Sequence, residues 1–187
     1  VVAVGSDVTD IRPGERVMAI VGGGAYAEYA RVDRGMAVRI PDDLDYIGAA
    51  AIMESFVTAW EALVHLGAPA KGLAVLVHAA AGGVGSAVVA IAHALGARVF
   101  ATANAERRAD VLSLGADSVF DYRSEDFERG VLEATGGRGG DIIVDFVGGD
   151  YLARNLRSLA PGGRLVQVGL LGGHDNASIP LALLLHK

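Results

Sequence analysis

From Leu73 to Phe100 the chain reads Leu-Ala-Val-Leu-Val, then His-Ala-Ala-Ala-Gly-Gly-Val-Gly, then a helical apolar stripe, then Arg-Val-Phe. A strand, a glycine-rich turn, a helix and a second strand in this order form a βαβ unit. That unit requires a parallel sheet with a crossover helix. The turn adds a function, because glycines between a strand and a helix let a pyrophosphate approach the backbone. Against the six-position dinucleotide fingerprint, Ala80-Ala81-Gly82-Gly83-Val84-Gly85 has alanine in the place of the first glycine and keeps the other two. Gly82 permits the approach of phosphate and Gly85 the close packing of helix on strand. Val84, Ala87, Val88, Ile91 and Leu95 lay one apolar stripe against a sheet, and Gly96 ends the helix. The first-turn amides, those of Gly83 and Val84 among them, are predicted to face the phosphates. The competing reading is a tight turn that binds nothing.

Before this unit the pattern is different. Val1–Val4, Arg16–Val21 and Ala25–Val32 read as short strands separated by Gly-Ser-Asp, Pro13-Gly14 and Gly22-Gly23-Gly24 turns. Pro41-Asp42-Asp43 breaks the pattern, and Tyr46–Leu66 reads as one helix, with Ala49, Ile52, Met53, Phe56, Trp60, Leu63 and Val64 at helical spacing. After Lys71, strands at Leu73–Val77, Arg98–Ala103, Ser118–Phe120, Ile142–Asp145 and Arg164–Val168 alternate with helices at Gly83–Leu95, Ala105–Leu114, Glu125–Thr135 and Tyr151–Leu159. The predicted class is α/β, a doubly wound parallel sheet, with domains over 1–45 and 46–187. Gly115 is placed to cap the second of these helices, and Pro161-Gly162-Gly163 to separate the fourth from its strand.

At 187 residues the chain can bury one good core and part of a second. It opens on a strand without Met and closes on the apolar Leu181–Lys187, so sequence is expected beyond both ends. The net charge is −6, and the two lysines, Lys71 and Lys187, lie far apart, which argues against nucleic acid as a ligand. There is no cysteine, hence no disulfide and no thiolate metal site. The stretch from Gly72 to Ala97 carries no Asp, Glu, Lys or Arg, but its glycines and two histidines fit a doubly buried strand with its crossover helix, not a membrane span.

The residues after the second strand bear on which nucleotide is bound. Units that bind NAD commonly carry Asp or Glu there, about twenty residues past the glycines, to hold the ribose hydroxyls. This chain has Thr102-Ala103-Asn104, with Arg107 and Arg108 opening the next helix and Tyr122 after the third strand. Guanidinium groups pair with phosphate in bidentate fashion, so the set favours NADPH over NADH. The alternative is a solvated helix face and an ordinary strand-end tyrosine.

Other chemistries lack their residues. No tyrosine is followed four residues later by lysine, which excludes the short-chain dehydrogenase pair, and neither a Gly-x-Ser-x-Gly elbow nor a phosphate loop ending in Lys-Ser/Thr occurs. No pair of histidines has metal-ligand spacing. His65, His93 and His186 read as structural or solvated. His78 closes the first strand and His174 follows the fifth, at the edge where ligands bind, so both are kept as candidates near a cofactor.

Together these motifs resemble the zinc-independent quinone oxidoreductases, the zeta-crystallin-like branch of the medium-chain dehydrogenases and reductases, closest in style to the p53-inducible subgroup. Val4-Gly5-Ser6-Asp7-Val8, Pro13-Gly14-Glu15-Arg16-Val17 and Gly24–Tyr29 look like the end of the branch's GroES-like β domain. Thr58-Ala59-Trp60 is similar to the helix that brings a threonine to the nicotinamide. His78–Gly85 matches the fingerprint almost letter for letter, Ala80 included. The run from Thr102 and Asn104 through Arg107 to Leu114-Gly115-Ala116, with Asp121-Tyr122-Arg123, resembles the 2′-phosphate pocket. Asp145-Phe146-Val147-Gly148-Gly149 resembles the turn below the riboses, and Val168–Gly173, with Gly169 and Leu171, the stretch beside the nicotinamide.

The resemblance implies a cytoplasmic homodimer that binds NADPH and passes hydride to a quinone, without zinc. Only Ala19–Gly24 separate Met18 from Ala25, which leaves no room for a cysteine-rich zinc lobe, and Met53 and Glu54 stand where a catalytic zinc would want cysteine. An enoyl or alkenal reductase on the same scaffold is the alternative, and a non-catalytic crystallin-like NADPH-binding protein is another. The acceptor is a small quinone or enone, with no nucleic acid or membrane partner. Acid and base residues are expected upstream of Val1, so none is assigned, and the chain alone is expected to be catalytically weak. The sheet is expected to end on an unpaired edge, where the branch dimerises.

Overall fold

The computed structural model describes residues 1–173, 179 and 181–187. They form two compact units, Val1–Val57 and Thr58–Lys187.

In the first unit, β1 (Val17–Ala19) pairs antiparallel with β2 (Ala37–Arg39), Val17 opposite Arg39. The strands expected at Val1–Val4 and Ala25–Val32 do not form. A strand needs a partner ladder, and Val1 finds only the 14–15 turn, where its carbonyl accepts from the Gly14 amide at 2.9 Å and its amine donates to the Glu15 carbonyl at 2.7 Å. Arg39 pairs with Glu15 at 2.8 Å, and Arg34 with Asp10.

The helix expected over Tyr46–Leu66 is three pieces. Asp45 caps α1 (Tyr46–Ile52) by accepting the Gly48 amide at 2.6 Å. Glu54, in the left-handed region at φ +74°, ends that axis, and α2 (Ser55–Trp60) restarts and runs into a π-helical segment, Glu61–Gly67. No Gly or Pro marks the break, so context has overridden propensity there. Tyr46–Gly67 is long and apolar enough to cross a membrane by length and composition alone, a test that the core helix of a globular domain also passes.

The second unit is a five-stranded parallel sheet in the order β5-β4-β3-β6-β7. Its elements alternate: β3 (Ala74–Val77), α3 (Gly83–Ala94), β4 (Arg98–Ala103), α4 (Arg108–Ser113), β5 (Ser118–Asp121), α5 (Phe127–Ala134), β6 (Gly140–Asp145), α6 (Tyr151–Ser158), β7 (Leu159–Gln167) and α7 (Leu181–His186). The pleat divides the core between two faces. Val75, Val77, Val99, Ala101 and Val144 pack under Leu63, Val88 and Val111, while Leu76, Phe100 and Ile143 pack under Phe127 and Val131. Helices thus cover both faces, as a doubly wound sheet requires.

Pro161-Gly162-Gly163, expected to separate helix from strand, lies inside β7. Leu159 pairs with Gly140 and the ladder resumes at Arg164 opposite Ile142, so the three residues form an irregularity within one strand. Among the described residues β7 is paired through β6 alone.

Candidate functional site

The parallel strands all point their carboxyl ends to one edge of the sheet, and the turns that follow β3, β4, β5, β6 and β7 carry most of the sequence-predicted residues of this unit there. After β3 the chain turns through Ala79, at φ +48°, and enters α3 at Gly82, which caps the helix with no side-chain hydrogen bond. The left-handed residue is therefore Ala79, next to the alanine that replaces the first fingerprint glycine, and Ala80 is fully buried. The amides of Gly83, Val84 and Gly85 open toward the edge without a protein cap, the arrangement that receives an anion. Gly85 is required by packing: a Cβ there would lie 2.4 Å from the Ala79 carbonyl oxygen and 2.9 Å from the Ala80 Cα.

The turns after β6 and β7 are zipped to each other. Leu171 donates to Phe146 O at 3.1 Å and Gly172 to Val147 O at 2.7 Å, while the Gln167 side-chain amide reaches Gly169 O at 2.6 Å. Gly148, at φ +67°, lies so close that a Cβ would meet Leu170 at 2.8 Å. Asp145, fully buried, accepts the amides of Val147 at 2.7 Å and Gly148 at 3.2 Å. Those two amides are therefore taken, and the carbonyls already accept, Val147 O from Gly172 and Gly148 O from the Tyr151 amide at 3.1 Å, so Val147 and Gly148 offer a ligand chiefly their Cα surface. Leu171 is exposed.

At the far end of the edge, Asn104 caps the turn before α4 by accepting the Arg107 amide at 3.0 Å. The Arg107 guanidinium meets Asp110 at 2.6 Å, and Arg108 meets Glu125 at 2.5 Å. Exposed pairs of this kind are worth roughly 0–1 kcal/mol, so they do not hold a guanidinium against a phosphate. Exposed Tyr122 carries the Arg123 guanidinium 5.5 Å from its ring centroid, and Arg123 makes no ion pair among the described residues. The Asp121 carboxyl is held below its usual range, chiefly by the Arg123 amide and the Ser124 hydroxyl. Arg123 thus adds a cation beside Tyr122, within the stretch Asp121-Tyr122-Arg123 that resembles a phosphate pocket in sequence.

Thr102 is buried, and its hydroxyl lies 3.0 Å from His78 Nδ1, so the side chain faces the interior and not the edge. His78 is also fully buried, with Nε2 2.7 Å from Asn155 Oδ1. Burial is the main cause that pushes its pKa down to about 4. Thr58 sits half-buried in α2, beside buried Ala59. His174 lies outside the described residues. Among the described residues no group of three or more His, Cys, Asp or Glu side chains could hold a metal ion.

Comparison with known proteins agrees with this fold. A family profile described as Zinc-binding dehydrogenase matches residues 83–187. A phenolphthiocerol/phthiocerol polyketide synthase of Mycobacterium tuberculosis is 38% identical over 185 residues, covering 98% of this chain and 8% of the synthase. The crystal structure of CurK enoyl reductase superposes with a TM-score of 0.86 at 33% identity, covering 93% of this chain and 52% of that one. A quinone oxidoreductase from Pseudomonas syringae pv. Tomato DC3000 gives a TM-score of 0.88 at 35% identity, covering 98% and 57%. The chain thus spans about half the length of these two solved proteins and a small part of the synthase.

Proposed function

The chain belongs to the zinc-binding dehydrogenase family of medium-chain dehydrogenases and reductases, and on that premise we propose that it is the cofactor-binding part of an NADPH-dependent enoyl reductase. The observation that supports this reading is the kind of relative that aligns with nearly the whole chain: a polyketide synthase is 38% identical over 98% of this chain, and CurK enoyl reductase shares its fold. Quinone reduction, which the sequence motifs favour, is the second reading, supported by the similarity to the Pseudomonas quinone oxidoreductase.

The residues present fit a nicotinamide dinucleotide. The uncapped amides of Gly83, Val84 and Gly85 suit its pyrophosphate, and Gly85 admits the close approach of helix and turn that brings them there. Asn104, Arg107 and Tyr122, with Arg123, supply donors and positive charge for a 2′-phosphate, and no carboxylate stands at Thr102-Ala103-Asn104 to repel it. Val147 and Gly148 provide the surface beneath the riboses, with Gly169 and Leu171 in the adjoining turn and Thr58 a candidate for orienting the nicotinamide. When bound, the nicotinamide supplies hydride; the chain's own part is to bind and orient it. The donors of this chain do not fit a zinc centre, because it has no cysteine and its described residues hold no cluster of metal-ligating side chains.

The test is steady-state oxidation of NADPH by the full-length protein with an enoyl thioester and a benzoquinone compared side by side. Higher kcat/KM for the thioester is expected. Turnover of the quinone alone restores the second reading, and tight NADPH binding without turnover of either restores a non-catalytic role.

A further inference from the structure

Beneath the two turns runs a chain of four buried side chains that no ligand at the edge can touch. Thr102, His78, Asn155 and Asp145 are each 0% or 1% exposed. Thr102 Oγ1 lies 3.0 Å from His78 Nδ1, His78 Nε2 lies 2.7 Å from Asn155 Oδ1, and Asn155 Nδ2 donates to Asp145 Oδ2 at 2.9 Å. The four come from the ends of β4, β3 and β6 and from the middle of α6.

The chemistry at one end fixes the direction of every bond. The Asp145 carboxylate accepts the amides of Val147 and Gly148 and must accept from Asn155 as well, so Asn155 turns its amide nitrogen to it. The Asn155 oxygen can only accept, which places the His78 proton on Nε2 and leaves Nδ1 as acceptor for the Thr102 hydroxyl. Burial favours the neutral imidazole this assignment needs. The ring of Phe127 lies 4.7 Å from His78 and that of Tyr151 4.8 Å, which closes the site to water that could replace a lost partner.

Each end of the chain holds a turn. At one end the Thr102 carbonyl accepts the Ala80 amide at 3.0 Å, inside the glycine turn. At the other, Asp145 holds Val147 and Gly148, and its carbonyl accepts the Val168 amide at 2.7 Å. We propose that His78 and Asn155 are positioning residues for the cofactor, fixing the turn after β3 and the turn after β6 in the relative placement that binding requires. The inference rests on the nicotinamide reading above. A buried polar chain specifies one arrangement where an apolar filling of the same volume would tolerate several.

The test uses the full-length protein, with NADPH affinity read by fluorescence titration, amide exchange at Val147 and Gly148 read without cofactor, and thermal midpoint read alongside. For Asn155→Ala, loss of a buried partner is expected to weaken NADPH about ten-fold or more and to speed exchange at both amides, with a smaller change in kcat at saturating NADPH. His78→Gln keeps an N–H for Asn155 and is expected to hold affinity within about three-fold of wild type, whereas His78→Leu behaves like Asn155→Ala. A lowered thermal midpoint with unchanged affinity in Asn155→Ala and His78→Leu would make the chain merely structural and overturn the inference. If those variants do not fold, the isosteric Thr102→Val breaks the far end alone; about three-fold weaker binding supports the inference and wild-type affinity overturns it. Wild-type protein that binds neither NADPH nor NADH overturns the cofactor reading itself, while normal wild-type binding with indifferent variants overturns only this inference.

Discussion

His78 Nε2 and Asn155 Oδ1 meet at 2.7 Å across 77 residues of sequence, joining the end of β3 to the helix that follows β6. Asn155 also holds Asp145, so this one contact links the fingerprint turn to the turn that faces it from the neighbouring strand. The bond places a titratable ring in the interior, and its first consequence is a dependence on pH.

Stability should fall as the pH drops from about 6.5 toward 4. In the unfolded chain His78 titrates near 6.5; in the fold its pKa is pushed down to about 4, by burial first, with Arg154 adding to it against Asp145 and Asn155. Between these values the unfolded chain binds more protons, so acid favours unfolding, while above about pH 6.5 His78 adds no slope. Asp145, Tyr151 and Arg154 are the other titratable groups around the ring. Urea midpoints near pH 7 and near pH 5 should show a larger loss for wild type than for His78→Gln, and parallel profiles would refute the assignment.

Replacing Gly85 by Ala should cost about 1–3 kcal/mol and weaken NADPH. The added Cβ would sit 2.4 Å from the Ala79 carbonyl oxygen, a backbone atom that cannot swing aside, so α3 must retreat from the turn. Denaturant midpoints and cofactor titration measure the two effects; an unaltered variant would show that helix and turn are not so tightly joined.

Arg107→Ala and Arg123→Ala should each lower the preference for NADPH over NADH by about ten-fold, the scale of one charge-assisted phosphate contact. Neither guanidinium is held firmly by the protein: Arg107 is in an exposed pair with Asp110, and Arg123 lies over Tyr122. Affinities for the two cofactors, compared variant by variant, check this. A preference for NADH that both variants leave unchanged would remove the phosphate pocket.

Asn104→Ala should destabilise the protein by about 1 kcal/mol through loss of the cap on the Arg107 amide, and Asn104→Ser should largely restore it. Thermal midpoints of the two variants separate this capping role from any contact with phosphate.

Most of the second unit was legible along the chain. Arg98–Ala103 is a strand over the expected residues, α3 ends one residue before Leu95 and α6 one before Leu159, because strand runs, helical stripes and cap glycines are local patterns. The break at Glu54 was not legible, since no Gly or Pro announces it. Nor was the placing of Pro161-Gly162-Gly163 inside β7, because the irregularity is defined by the register against β6.

By itself the sequence determined a parallel, doubly wound sheet and the edge to which the glycine turn opens, because the order of elements and the glycine turn depend on neighbours in the chain. Tertiary structure alone decided which side chains stand behind that edge. Asn155 carries no local sign of its role, and Thr102 stands in the run expected to face the nucleotide, yet it faces His78. Burial removes water as a partner, so each buried polar group must find its match on another strand or helix, and those pairings are set by the packing of the sheet.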